Sequence, residues 1–305
     1  MQIGIGIGIV LLLILLLLCV SSLIITNSVI KPKRGNPVFR EHREADNSDV
    51  QNRLLSMFQE TTVTAVDGTV LNAYKTTGKS MSRKWAICVH GYGGAPGNMA
   101  KYADHFIKQG FNVLLPELRG HNRSETAYSG LSYLDAYDLN TWIKNIQKTD
   151  SEAEILLFGL SMGGAATAAS SALETIDNVR CLITDSAPSS MYLQLQRICG
   201  WVPVVPKRLV FSIMQRIIKR QLHFDLKDAT ILNNISNIKP PWLIIHGASD
   251  GLVDPQMAKD MYNAANCLKE LYIVLGAEHT QAEETAPEQY WATVDSFTEK
   301  HIGNH

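Results

Sequence analysis

This chain of 305 residues carries almost no net charge: 28 Lys and Arg against 29 Asp and Glu leave a formal −1. A balance so close to zero supplies no field to hold nucleic acid or any other polyion. Cysteine is scarce, with five in all, and no two form a Cys-x-x-Cys pair. Cys88 and Cys181 lie inside apolar runs, where a thiol reads as a small buried hydrophobe. A disulfide framework is therefore excluded, and so is a paired-cysteine zinc site. A His-Glu-x-x-His metal motif is missing too. No repeat or low-complexity tract interrupts the body. What remains is a chain 46% hydrophobic, long enough for one large α/β domain with a well-buried core.

The first thirty residues are a separate object. Ile3 to Ile25 holds no charged residue, and its length would span roughly 34 Å as a helix, enough for the hydrocarbon core of a bilayer. A cleaved signal peptide fits poorly, because no Lys or Arg precedes the run and no small-x-small cleavage site is clear. Residues 1–30 are expected to be a retained single-pass membrane anchor. Lys31, Lys33 and Arg34 follow directly, and flanking positive charge favours a cytoplasmic catalytic body. Residues 31–53 are polar and charged, and read as a tether.

The body alternates short apolar runs with helical patterns. Thr62–Val66, Asp67-Gly68 and Thr69–Tyr74 read as a β-hairpin. Strand-like runs follow at Trp85–Val89, Phe111–Leu115, Ile155–Phe158, Cys181–Thr184, Trp242–Ile245 and Leu271–Val274. Helical patterns lie between them; in one, Leu139, Trp142, Ile143 and Ile146 make a single apolar stripe. This pattern predicts an α/β fold with a doubly wound, mostly parallel sheet. Residues 188–239 break the alternation. They contain no strand-like run and carry Arg197, Lys207, Arg208, Arg216, Lys219, Arg220 and Lys227 against Asp225 and Asp228. A helical lid over the C-terminal sheet edge is expected there, with substrate specificity written in it.

Gly159-Leu160-Ser161-Met162-Gly163 sits between an apolar strand and a run of small residues that suits a helix. A serine at the apex of such a strained turn is presented above the sheet, and only glycines can flank it closely. Acyl transfer by serine needs a base, an acid to orient it, and donors for the oxyanion. The partners should lie beyond the C-terminal strand ends. His279, after the last strand, is the candidate base; His90, His121 and His246 read as turn residues. Asp250, in His246-Gly247-Ala248-Ser249-Asp250-Gly251, is the candidate acid. Asp254 is its closest rival, but it precedes Pro255 and reads as a helix N-cap; Asp185 is a weaker one. The glycine-rich His90-Gly91-Tyr92-Gly93-Gly94 follows a strand, so the N–H of Tyr92 joins that of Met162 as candidate oxyanion donor.

With the order Ser161, Asp250, His279, the stretch from about Ser56 to Lys300 resembles the α/β-hydrolases with a short helical lid. That broad group includes monoacylglycerol lipases, carboxylesterases and serine aminopeptidases. Leu118–Ser124 is similar to the group's Arg-Gly-His-Gly-x-Ser loop, with Asn122 in place of a glycine and Glu117-Leu118 where an aspartate commonly stands. The resemblance implies that residues 54–305 are the hydrolase domain. It also implies hydrolysis of an ester, thioester or amide through an acyl-enzyme on Ser161, without metal or organic cofactor. An apolar lid beside a bilayer favours a carboxylic ester, possibly an acylglycerol or lysolipid. An aminopeptidase or amidase of the same fold, and a non-catalytic binding module on a hydrolase scaffold, are the alternatives.

Overall fold

The computed structural model describes residues 2–32, 58–76, 82–200 and 206–303. Its strands are β1 (Gln59–Thr64), β2 (Val70–Thr76), β3 (Lys84–Val89), β4 (Asn112–Pro116), β5 (Glu154–Leu160), β6 (Val179–Asp185), β7 (Trp242–Gly247) and β8 (Lys269–Val274). They form one sheet in the order β1-β2-β4-β3-β5-β6-β7-β8. The β1/β2 and β2/β4 pairs are antiparallel, and every other pair is parallel. The hairpin turns at Asp67-Gly68, where Gly68 takes a φ of +86°.

Alternation along the central strands explains why they read as unbroken apolar runs. In β5, Ile155 and Leu157 face one core while Leu156 and Phe158 face the other; in β3, Trp85, Ile87 and Val89 oppose Ala86 and Cys88. Both faces are covered, so both sets must be apolar. On the first side lie α3 (Tyr133–Thr149), α4 (Met162–Leu173) and α7 (Pro255–Ala264). On the second lie α2 (Ala100–Lys108) and α9 (Pro287–His301), the latter preceded by the short α8 (Ala282–Thr285). Leu139, Trp142, Ile143 and Ile146 of α3 are all buried. This is the α/β-hydrolase fold.

Residues 188–239 contain α5 (Met191–Cys199), α6 (Lys207–Leu222) and two single 3-10 turns; residues 201–205 lie outside the described residues. Val210, Phe211, Met214, Ile218 and Leu222 of α6 are buried, while Arg208, Arg216, Lys219 and Arg220 are exposed. The apolar face of this helix is thus packed inward.

The N-terminal run is one helix, α1 (Gln2–Ile30). Its last turns pack against α6, and Val29 and Ile30 belong to the core on the α4 side of the sheet. Ser22 and Thr26 are buried, and each satisfies its hydroxyl on the helix itself, Ser22 Oγ donating to Leu18 O at 2.7 Å and Thr26 Oγ1 to Ser22 O at 2.6 Å. Side chains of α1 are described without a break only from Leu16 onward. Among the described residues, no helix is long and apolar enough to cross a membrane. The expected tether falls mostly at residues 33–53, which lie outside the described residues, as do Lys33 and Arg34.

Candidate active site

Ser161 is the single residue between β5 and α4. Its backbone is held at φ +50°, ψ −121°, a region that costs a non-glycine residue about 1–3 kcal/mol. The turn persists because α4 can start hard against β3: a Cβ at Gly163 would stand 2.4 Å from the carbonyl oxygens of both Val89 and His90. The Ser161 N–H is secured by Asp185 O at 2.8 Å. The side chain is therefore aimed by backbone geometry, before any partner is considered.

Its partners come from two neighbouring loops. After β7, the backbone of Gly247 passes so close to the loop after β8 that a Cβ there would meet Ala277 O at 2.4 Å. Ser249 N–H donates to the same Ala277 O at 2.9 Å. That approach brings His279 between acid and nucleophile: Nδ1 lies 2.7 Å from Asp250 Oδ2, and Nε2 lies 2.9 Å from Ser161 Oγ. Asp250 Oδ1 accepts the N–H groups of Leu252 at 2.9 Å and Val253 at 2.8 Å. Burial alone would push the Asp250 carboxyl up. Hydrogen bonds and charge from His246 and His279 outweigh it and hold the group well below the usual carboxylate range. The carboxylate is ionised, and the His279 proton sits on Nδ1, leaving Nε2 as an acceptor for the serine hydroxyl.

The sequence reading passed over His246 as a turn residue. It is fully buried at the end of β7, and its Nε2 lies 3.1 Å from Asp250 Oδ2 and 3.2 Å from Val253 O. Both neighbours are acceptors, so Nε2 carries the proton and the acid is gripped from a second side. The only signal in the sequence was the four-residue spacing to Asp250.

Tyr92 and Met162 both border the cleft that Ser161 opens into. The Met162 amide is the first in α4, where N–H groups lack intrahelical acceptors and the helix dipole is positive. Two further histidines read as turn residues are buried behind the Tyr92 loop. His90 Nε2 accepts Leu118 N–H at 3.2 Å, and His121 Nε2 accepts Gly93 N–H at 3.0 Å, so each ring ties its neighbour's loop. Burial lowers His90 to about 3 and His121 to about 4, which keeps both rings neutral acceptors near pH 7.

The rival acids have other work. Asp254 caps α7 by accepting Gln256 N–H at 3.0 Å and pairs with Arg197 at 2.9 Å. Asp185 is buried, held by Ser186 Oγ and Tyr290 Oη, and burial raises its pKa. Its neighbour Ser186 accepts Thr280 N–H at 3.1 Å, which secures the His279 loop. The two departures in the Leu118–Ser124 loop are accommodated locally. Asn122 takes a φ of +37°, a left-handed conformation that asparagine tolerates, and Glu117 accepts Arg123 N–H at 2.8 Å.

The cleft, of about 420 Å³, is walled by apolar side chains that include Leu131, Met191, Leu195, Leu252 and Val253; Gln194 is its polar member away from the nucleophile. Among the described residues, no group of three or more His, Cys, Asp or Glu could hold a metal ion.

Residues 81–227 match the Hydrolase_4 family, serine aminopeptidase, S33. That match includes Tyr92, Ser161 and Met162, and stops before Asp250 and His279. The uncharacterized protein YqkD of Bacillus subtilis is 24% identical over 208 residues, covering 66% of this chain and 66% of that protein. A thermostable monoacylglycerol lipase from Bacillus sp. is 31% identical over 86 residues, 27% of this chain and 32% of the lipase. Among solved structures, the Pyrococcus furiosus esterase Pf2001 superposes with a TM-score of 0.65 at 22% identity, covering 82% of this chain and 96% of that one. The chain has the α/β-hydrolase fold, and Ser161, His279 and Asp250 stand in the nucleophile, base and acid arrangement of a serine hydrolase.

Proposed function

We propose that this protein hydrolyses a carboxylic ester with an apolar acyl chain, through an acyl-enzyme on Ser161. The observation that carries the reading is the hydrogen-bonded line Asp250–His279–Ser161 opening into an apolar cleft. As His279 Nε2 takes the hydroxyl proton, Ser161 Oγ bonds the ester carbonyl carbon, and the carbonyl electrons move onto oxygen. The amides of Met162 and Tyr92 receive that oxyanion. The imidazolium, steadied by Asp250, then protonates the departing alcohol as its bond to carbon breaks. Water repeats the sequence on the acyl-enzyme, releasing the acid and restoring Ser161. The partial likeness to a monoacylglycerol lipase points the same way. An aminopeptidase would need acidic groups to hold a substrate ammonium, and among the described residues lining the cleft none is acidic. The deciding experiment is fluorophosphonate labelling, followed by a panel of acyl esters beside aminoacyl amides. Wild-type should label and Ser161→Ala should not, and ester turnover should exceed amide turnover; faster amide turnover would overturn the ester assignment.

The same proposal places the enzyme at a membrane through α1. Gln2–Ile30 holds no charged residue, and Leu16, Leu17, Val20, Leu23 and Ile24 face outward, exposed. An apolar stripe of that length marks a lipid or protein contact. The segment before Ser22, where docking on the domain begins, would span roughly 30 Å as a helix. Flanking positive charge puts the catalytic domain on the cytoplasmic side. Full-length protein should sediment with membranes and resist carbonate extraction; release into the carbonate supernatant would refute the anchor.

A further inference from the structure

The end of α1 is inside the catalytic cleft. Val29, 1% exposed, borders the same cleft as Ser161, across from Leu131, Met191 and Leu195. The last carbonyls of a helix have no intrahelical donors, and here the hydrolase domain supplies them. Tyr92 Oη donates to Ser28 O at 2.8 Å, and Ser129 N–H donates to Ile30 O at 2.7 Å. Just past the helix, the Lys31 ammonium stands 5.3 Å from the centre of the Tyr128 ring. One and two turns earlier, Thr26 and Ser22 are buried, and α1 packs on the lid helix α6. These contacts fix the helix in register, and among the described residues Val29 is the α1 side chain on the cleft wall. The residue is small and branched, and its neighbours on the wall are larger and flexible.

We infer that Val29 is a specificity-determining residue: the C-terminal turn of α1 forms the wall against which the substrate's acyl chain lies. The helix proposed as the anchor is then a structural part of the acyl-binding site. The inference rests on the ester-hydrolase reading. A bulkier side chain at this position shortens the space for the chain, and a smaller one lengthens it. Discrimination by hydrophobic fit amounts to about tenfold or more for each methylene group gained or lost.

The test uses full-length protein in detergent micelles and p-nitrophenyl esters from acetate to laurate. Val29→Phe should lower the ratio of kcat/KM for octanoate over acetate by about tenfold. Val29→Ala should move the preferred chain toward laurate. Ile24→Phe, on the outward face of the same helix, should keep the wild-type profile. If Val29→Phe fails to fold, Val29→Ala carries the test alone. Wild-type chain-length profiles in variants that melt like wild-type would overturn the inference, and so would an equal shift in Ile24→Phe. Fluorophosphonate labelling separates the two levels. Labelling with unchanged profiles defeats only the role of Val29, whereas a wild-type protein that neither labels nor turns over any ester defeats the hydrolase reading and this inference with it.

Discussion

Asp250→Asn should be among the most damaging conservative changes in this protein, for a reason specific to how the carboxylate is held. Oδ1 accepts two backbone N–H groups, at 2.9 and 2.8 Å. An amide in its place must therefore put its carbonyl oxygen on that side, since its NH2 would face two donors. The NH2 then occupies the Oδ2 position, 2.7 Å from His279 Nδ1 and 3.1 Å from His246 Nε2. His279 responds by accepting at Nδ1, which moves its own proton to Nε2, opposite Ser161 Oγ. In that tautomer it cannot take the serine proton. A triad locked in the wrong tautomer loses about 10³–10⁴ in kcat, or about 4–5.5 kcal/mol of transition-state stabilisation. His246 also meets a donor where it had an acceptor, and can recover only by moving its proton to Nδ1, a buried atom with no partner. The assay is kcat/KM on a short p-nitrophenyl ester together with the fluorophosphonate labelling rate, and a thermal melt to establish that the loop has kept its fold. Both rates should fall together. Asp250→Ala, which leaves His279 free to choose its tautomer, should retain as much activity or more. Activity of Asp250→Asn within about tenfold of wild-type would refute the reasoning.

Gly163→Ala should prevent stable folding or cost more than about 3 kcal/mol, because its Cβ would meet two backbone carbonyls that cannot move without shifting β3; a melting temperature near wild-type would show that the turn has slack. Asp254→Asn, which keeps the cap and loses only the partly exposed pair with Arg197, should change stability by less than about 1 kcal/mol and leave kcat close to wild-type. On acidification, stability should fall from about pH 6.5 downward. His90 and His121 have folded values near 3 and 4, so the unfolded chain takes up protons first, and His121 alone accounts for about 3 kcal/mol once the pH is below its folded value. Melting temperature against pH checks this, and His121→Asn, which keeps an acceptor, should flatten the slope. With most of the apolar face of α6 packed inward, its outer face offers anionic lipid mainly charge. Reversing Arg208 and Arg216 should therefore abolish any preference for anionic over neutral vesicles, each basic residue being worth about 1 kcal/mol at such a surface; a preference that survives reversal would place the lipid contact elsewhere.

The sheet and the Ser161, Asp250 and His279 arrangement were readable from the sequence because each sits at the end of a continuous apolar run, and strands buried on both faces write such runs directly. The helical segment between β6 and β7 was readable from the lack of any such run between Pro188 and Lys239. His90, His121 and His246 were misread for a common reason. A histidine after a strand looks the same in sequence whether it is solvated or buried, and which loop it reaches depends on distant chain: His90 and His121 each tie a loop 28 residues away. The N-terminal helix was legible only in part. An uncharged run looks uniformly lipid-facing, and the hint that one side was committed to protein lay in Ser22 and Thr26, four residues apart on the stripe that ends at Val29 and Ile30. Because those turns carry Val29 and the Tyr92 contact, removing the helix is not a neutral change to the catalytic domain. A chain starting near Asn52 would lose Val29, expose the core it covers, and free the side chain of an oxyanion-loop residue. The helix proposed as the anchor also borders the cleft, so any loss of activity on truncation reports on both.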